Sequence, residues 1–114
     1  MKDRDYSGNE RREFFRIFYP IRARPRLTIR ESSYDVLDIC ERGIRFLHPA
    51  ADSLKSDEVV RASVSFRDGE TLEVEGRILR LQGHNVVLRL QTFIPIARIM
   101  KEQRYLMSRF LCYE

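Results

Sequence analysis

Three arginines stand close together near the start of the chain, in the run Glu10-Arg11-Arg12-Glu13-Phe14-Phe15-Arg16. A four-residue spacing brings Arg12 and Arg16 within reach of one small ligand, whether the segment is a curved loop or a single helical turn. A guanidinium can hold the O6 and N7 acceptors of guanine bidentately, stack on a purine face or clamp a pair of phosphate oxygens. Three of them are enough for two bases and two phosphates. Taken alone, though, R-x-x-x-R is permissive and more often describes a solvated basic stretch.

A second candidate is Asp38-Ile39-Cys40-Glu41-Arg42-Gly43. It offers a carboxylate acceptor, a small side chain, and a glycine that permits either a positive φ or the close approach of a ligand. A plain strand-to-strand turn would use the same residues. Catalytic chemistry has little to build on. The only histidines are His48 and His84. No paired metal-ligand spacing, G-x-S-x-G elbow or Walker-type loop is present. His84 falls in a predicted turn and His48 beside Pro49, so both read as surface or turn residues. No enzyme, no metal site and no cofactor is therefore expected.

The elements that must position these residues are mostly short strands. Pro20 and Pro25 break any long helix, and Leu27 with Ile29, then Tyr34 to Ile39, form two β-rich runs separated by Arg30-Glu31-Ser32-Ser33. After Glu41-Arg42, the run Gly43 to Leu47 resumes a strand that Pro49 ends, and residues 50–57 read as a loop. Val60, Ala62, Val64 and Phe66 alternate with polar residues, and Asp68-Gly69 then turns the chain into Leu72, Val74, Gly76 and Ile78. Gly76 is a candidate for a bulge or sharp bend. Gln82 to Asn85 turns again into Val86 to Leu90, for about six strands in antiparallel succession.

The last segment changes period. Ile96, Ile99, Met100, Leu106, Met107 and Phe110 recur at helical spacing behind Pro95, which predicts an amphipathic helix of about four turns with this stripe facing the core. The expected fold class is mainly β, a six-stranded antiparallel barrel closed by a C-terminal α-helix. Residues 17–114 form the barrel and helix, and residues 1–16 a flexible arm that carries the arginines.

A chain of 114 residues with 43% hydrophobic and 33% charged side chains has the composition of one folded domain. Its net charge of +4 suits an anionic partner, and only three of its 21 basic residues are lysines, which favours planar recognition over a diffuse field. Cys40 and Cys112 occur in no ligand-type spacing and read as reduced thiols of a cytoplasmic protein. No apolar run approaches the ~20 residues needed to cross a bilayer, and the charged N-terminus lacks a signal-peptide core. Membrane insertion is not expected.

Together, Arg12/Arg16 and Asp38/Cys40/Gly43 resemble the paired signature of PilZ domains, R-x-x-x-R in an N-terminal loop followed by [D/N]-x-S-x-x-G at the end of an early strand. Asp38 to Phe46 (DICERGIRF) is similar to the family's D-I-S-x-x-G-I-x-F pattern, and Glu75 to Arg80 (EGRILR) to its next hairpin arm. The resemblance runs from about Glu10 to Phe110. It implies a non-catalytic receptor in which the arginine loop folds over cyclic di-GMP bound against the barrel. Arg11, Arg12 and Arg16 would meet guanine edges and phosphates, and Asp38 would accept from a guanine N–H. Cys40 stands where the family usually has serine. A thiol is a larger and poorer hydrogen-bond partner, so binding weaker by about 1 kcal/mol is expected.

Arg11 adds a guanidinium that would hold a second, intercalated nucleotide. Ligand binding would order the arm and create a surface for an unidentified downstream protein. Two alternatives compete with this reading. One is a PilZ-like adaptor that works by protein contacts without nucleotide. The other is a general nucleic-acid-binding barrel that stacks bases on Tyr19 and Phe66. Their core-periodic positions argue against the latter, so no nucleic acid is expected.

Overall fold

The computed structural model describes residues 16–49 and 54–111. Within them lie β1 (Ile17–Phe18), a 3₁₀ turn (Ile21–Ala23), β2 (Arg26–Ile29), β3 (Ser32–Cys40), β4 (Gly43–Leu47), β5 (Val59–Ser65), β6 (Thr71–Gln82) and β7 (Asn85–Leu90). Helix α1 (Ile96–Leu106) follows and runs into a π-helical turn (Met107–Leu111). All strand pairings are antiparallel. The sheet closes in the order β3-β2-β5-β6-β7-β4 and back to β3, giving the expected six-stranded barrel, with β1 added along one edge of β3.

Closure follows from how β3 divides its pairing. Its first half, Ser32 to Asp35, pairs with β2, while Val36 to Cys40 pairs with β4 across the two-residue turn Glu41-Arg42. Alternating apolar residues from every strand fill the interior. Leu27, Ile39, Ile44, Phe46, Ile78 and Leu88 are among the side chains entirely removed from water. Tyr19 and Phe66 are buried too, at 6% and 4% exposure, so neither ring is available to stack on a base.

Two register shifts interrupt the ladders. In β3 the extra residue is Leu37, between the pairs Val36↔Phe46 and Asp38↔Arg45. A one-residue slip moves every later side chain to the opposite face. Asp38 and Cys40 thereby take the outer wall while Ile39 turns into the core. In β6 the extra residue is Leu79, between Ile78↔Leu88 and Arg80↔Val87, and its side chain stands 48% exposed. The sequence pattern placed the anomaly at Gly76 instead. That glycine marks a close approach, because a Cβ there would lie 2.5 Å from the carbonyl oxygen of Arg89.

The helix differs from its expected orientation. Ile99 and Leu106 are buried and Phe110 packs partly against the core, but Ile96, Met100 and Met107 are 51%, 39% and 49% exposed. The buried face carries Arg98 and Glu102 in their place. Glu102 accepts from the Tyr19 hydroxyl at 2.6 Å and pairs with Arg98. Arg98 also bonds Asp68 at 3.0 Å and Glu70, and its guanidinium lies 4.0 Å above the Phe66 ring. Periodicity alone reads such long polar side chains as solvent-facing; this network reverses that by satisfying their charges inside. His48 likewise departs from the surface reading. It is buried and stacks on Tyr34 with ring centroids 4.5 Å apart.

Candidate functional site

Short as it is, β1 decides where Arg16 lies. Ile17 is buried and pairs with Ile39, and Phe18 pairs with Asp38. The residue just before this strand is therefore delivered to the end of β3 that bears the D-x-C-x-x-G motif. Arg16 Nη1 donates to Asp38 Oδ1 at 2.5 Å across a separation of 22 residues. The other carboxylate oxygen, Oδ2, accepts from Arg45 Nε at 2.7 Å.

Asp38 has no exposed surface, whereas the Arg16 and Arg45 side chains are 46% and 38% exposed. A buried carboxylate is tolerated only when paired and hydrogen-bonded, and two guanidiniums meet that requirement here. The geometry refines the role expected of Asp38. With both oxygens engaged, the carboxylate fixes the orientation of two partly exposed arginines. An ionised carboxylate has about four lone-pair sites, so it retains capacity for a further donor.

Arg16, Phe18, Asp38, Gly43, Arg45 and Val87 line a concavity of about 310 Å³. Gly43 pairs with Cys40 on one side and Arg89 on the other, and its φ is not positive. Of the two uses foreseen for this glycine, the special turn conformation does not apply. A Cβ at Gly43 would lie 3.4 Å from the Leu88 carbonyl oxygen and 3.8 Å from Cys40 Sγ, on the floor of the concavity. Cys40 is buried at 5% exposure and lines an adjoining hollow. Arg11 and Arg12, the other two arginines of the run, and Cys112 lie outside the described residues.

Arg45 was missed in the sequence reading, although a signal for it was present. With Glu41-Arg42 as a two-residue turn, Asp38 and Arg45 are equidistant from the hairpin tip and face each other across the strands. Among the described residues no group of three His, Cys, Asp or Glu side chains is placed to hold a metal ion. Nor is any helix of those residues long and apolar enough to cross a membrane.

The molecule is thus a small closed barrel with an arginine–carboxylate cluster on its outer wall. The PilZ domain model matches residues 10–108, and the chain belongs to the PilZ domain family. PilZ domains are generally non-catalytic binding domains, and cyclic di-GMP is the ligand of the family at large, although PilZ proteins can also act without nucleotide. No curated protein sequence gives a significant match to the chain.

Proposed function

We propose that this protein is a non-catalytic cytoplasmic receptor for cyclic di-GMP. The observation that carries this reading is the convergence of Arg16, Asp38 and Gly43 on one concavity, from two motifs that lie 22 residues apart between Arg16 and Asp38. Their guanidinium and carboxylate groups match the donors and acceptors of a guanine edge and a phosphodiester. Arg11 and Arg12 supply further guanidiniums from the preceding loop, which closes over the ligand. Ordering of residues 6–16 then forms the surface that a downstream protein reads. With Arg11 included, the site takes two intercalated nucleotides per chain.

Calorimetric titration at near-physiological salt tests the receptor. Saturable heat is expected with cyclic di-GMP but not with GTP or cyclic di-AMP, and the Arg12→Ala/Arg16→Ala double variant should give none. A stoichiometry of one would remove the second nucleotide. Amide exchange over residues 6–16 should slow at saturating ligand, and unchanged exchange would refute the relay by ordering. A folded protein that gives no heat at high micromolar ligand would favour the adaptor that works by protein contacts alone.

A further inference from the structure

The outward half of α1 carries apolar side chains that the described barrel leaves uncovered. At about 3.6 residues per turn, Ile96, Met100 and Met107 fall within a stripe about 40° wide, and all three are exposed. Met107 caps the helix in the right-handed helical conformation, so the stripe keeps its direction to the end. The residues that face the barrel, Arg98, Ile99, Glu102 and Leu106, stand on the opposite side. A helix face left in water is ordinarily polar, and here isoleucine and methionine occupy it.

Charge is distributed just as unevenly. From Gln91 to Leu111 the only acidic residue is Glu102, against the basic residues Arg98, Lys101, Arg104 and Arg109. Glu102 is turned inward and pairs with Arg98, so neither charge reaches the outer face. Lys101, Arg104 and Arg109 remain exposed. Lys101 reaches Asp68 at 3.0 Å, whereas among the described residues Arg104 and Arg109 have no carboxylate within ion-pair distance. Arg104 follows Met100 by one helical turn and precedes Met107 by another, which sets it directly beside the apolar stripe.

This combination decides among occupants. A second copy of the chain would set these arginines against their own counterparts, with no acidic side chain on the outer face of the helix to answer them, and the ~16 Å from Ile96 to Met107 is short for a stable interface. An uncharged apolar groove would strip the arginines of water without supplying a counter-charge. An anionic bilayer surface meets both demands, since its headgroup phosphates lie level with the guanidiniums while the acyl boundary beneath takes the apolar side chains. A helix lying on the barrel wall is also a ridge, which enters such a soft boundary without a shape-matched recess.

We propose that α1 is a peripheral docking surface for an anionic membrane, with Ile96, Met100 and Met107 at the acyl boundary and Arg104 and Arg109 on headgroup phosphates. The helix lies along the surface and does not span it, and it shares no residue with the Asp38 cluster.

The test is sedimentation of the full chain with vesicles of phosphatidylcholine alone or with about 30% phosphatidylglycerol. The chain should partition onto the anionic vesicles and leave them as salt is raised. Arg104→Ala should lower the partition about fivefold, as for one basic residue at the surface. The double variant Met100→Gln/Met107→Gln keeps charge and helix propensity and should lower it about tenfold. Arg61→Ala removes the same charge from β5, where the side chain is 87% exposed, and should stay within about twofold of wild type. All three variants should melt at the wild-type midpoint, because the altered residues are exposed. Membrane docking is ruled out if the two vesicle types bind equally, if the methionine variant partitions as wild type does, or if Arg61→Ala loses as much as Arg104→Ala. A chain that ignores both vesicles at low salt would also rule it out and assign the face to an acidic protein partner instead.

Discussion

Among the described residues two clusters bring arginine to a buried carboxylate, and they differ in which partner is sealed from water. At the end of β3 the carboxylate is fully enclosed, while the guanidiniums of Arg16 and Arg45 remain 46% and 38% exposed. Under α1 both partners are enclosed, with the Arg98 and Glu102 side chains only 7% and 4% exposed. The first arrangement sets a buried anion behind two cations that reach solvent, which is what the proposed receptor would need for an anionic ligand. The second encloses both charges and ties the helix to the barrel through Tyr19 and Phe66. Similar residue types thus give solvent-facing cations in one case and a structural lock in the other.

The contrast breaks most visibly on removal of each central anion. Glu102→Ala leaves the Arg98 charge buried without its one buried partner, and should cost about 3 kcal/mol of stability. Chemical denaturation would measure this, and a loss below about 1 kcal/mol would show the lock to be dispensable. Affinity for cyclic di-GMP should be unchanged in that variant. Asp38→Ala should do the reverse. Its arginines can turn into water, so the stability cost falls to about 1–2 kcal/mol, while binding drops by about a hundredfold or more as two guanidiniums lose their aim. Undiminished binding in a folded Asp38→Ala protein would exclude Asp38 from the site.

A third effect sharpens the comparison through pH. The Arg98 guanidinium holds the Asp68 carboxyl well below the usual aspartate range, with the Glu70 backbone N–H and Lys101 adding to the effect. A depressed folded-state value means that Asp68 adds stability above its unfolded pKa and loses it as pH falls through the folded one. The difference in thermal midpoint between wild type and Asp68→Asn should therefore persist from neutral pH down through the ordinary aspartate range and close only in stronger acid. A gap already closed at the pH where exposed aspartates titrate would contradict the pairing. The smallest effect is expected at Cys40→Ser, where restoring a hydroxyl should tighten cyclic di-GMP binding by about 1 kcal/mol, a factor of about five. An unchanged affinity would place the Cys40 side chain outside ligand contact.

Much of this molecule was legible from residue order because the signals are local. Strict alternation in β5 and β7, the Asp68-Gly69 and Gly83 turns, and the proline-led helix each depend on neighbours a few residues apart. The same holds for the two motifs, whose residue types disclose their chemistry before any contact is known. The helix face was misread for the opposite reason. Arg98 and Glu102 have solvent-facing character by type, and only partners at Tyr19 just after β1, in the β5–β6 turn and in the core make their burial tolerable.

By itself the sequence determined the class of fold and the family, and it supplied the basic run and the D-x-C-x-x-G turn on which the proposed site rests. Periodicity, turn chemistry and side-chain type are properties of short segments and survive without knowledge of the fold. The tertiary structure decided which face each site residue takes. The bulge at Leu37 turns Asp38 outward, the addition of β1 brings Arg16 to it, and closure of the barrel sets Arg89 of β7 beside Gly43 of β4. Those placements depend on register across strands far apart in sequence, and a shift of one residue reverses them.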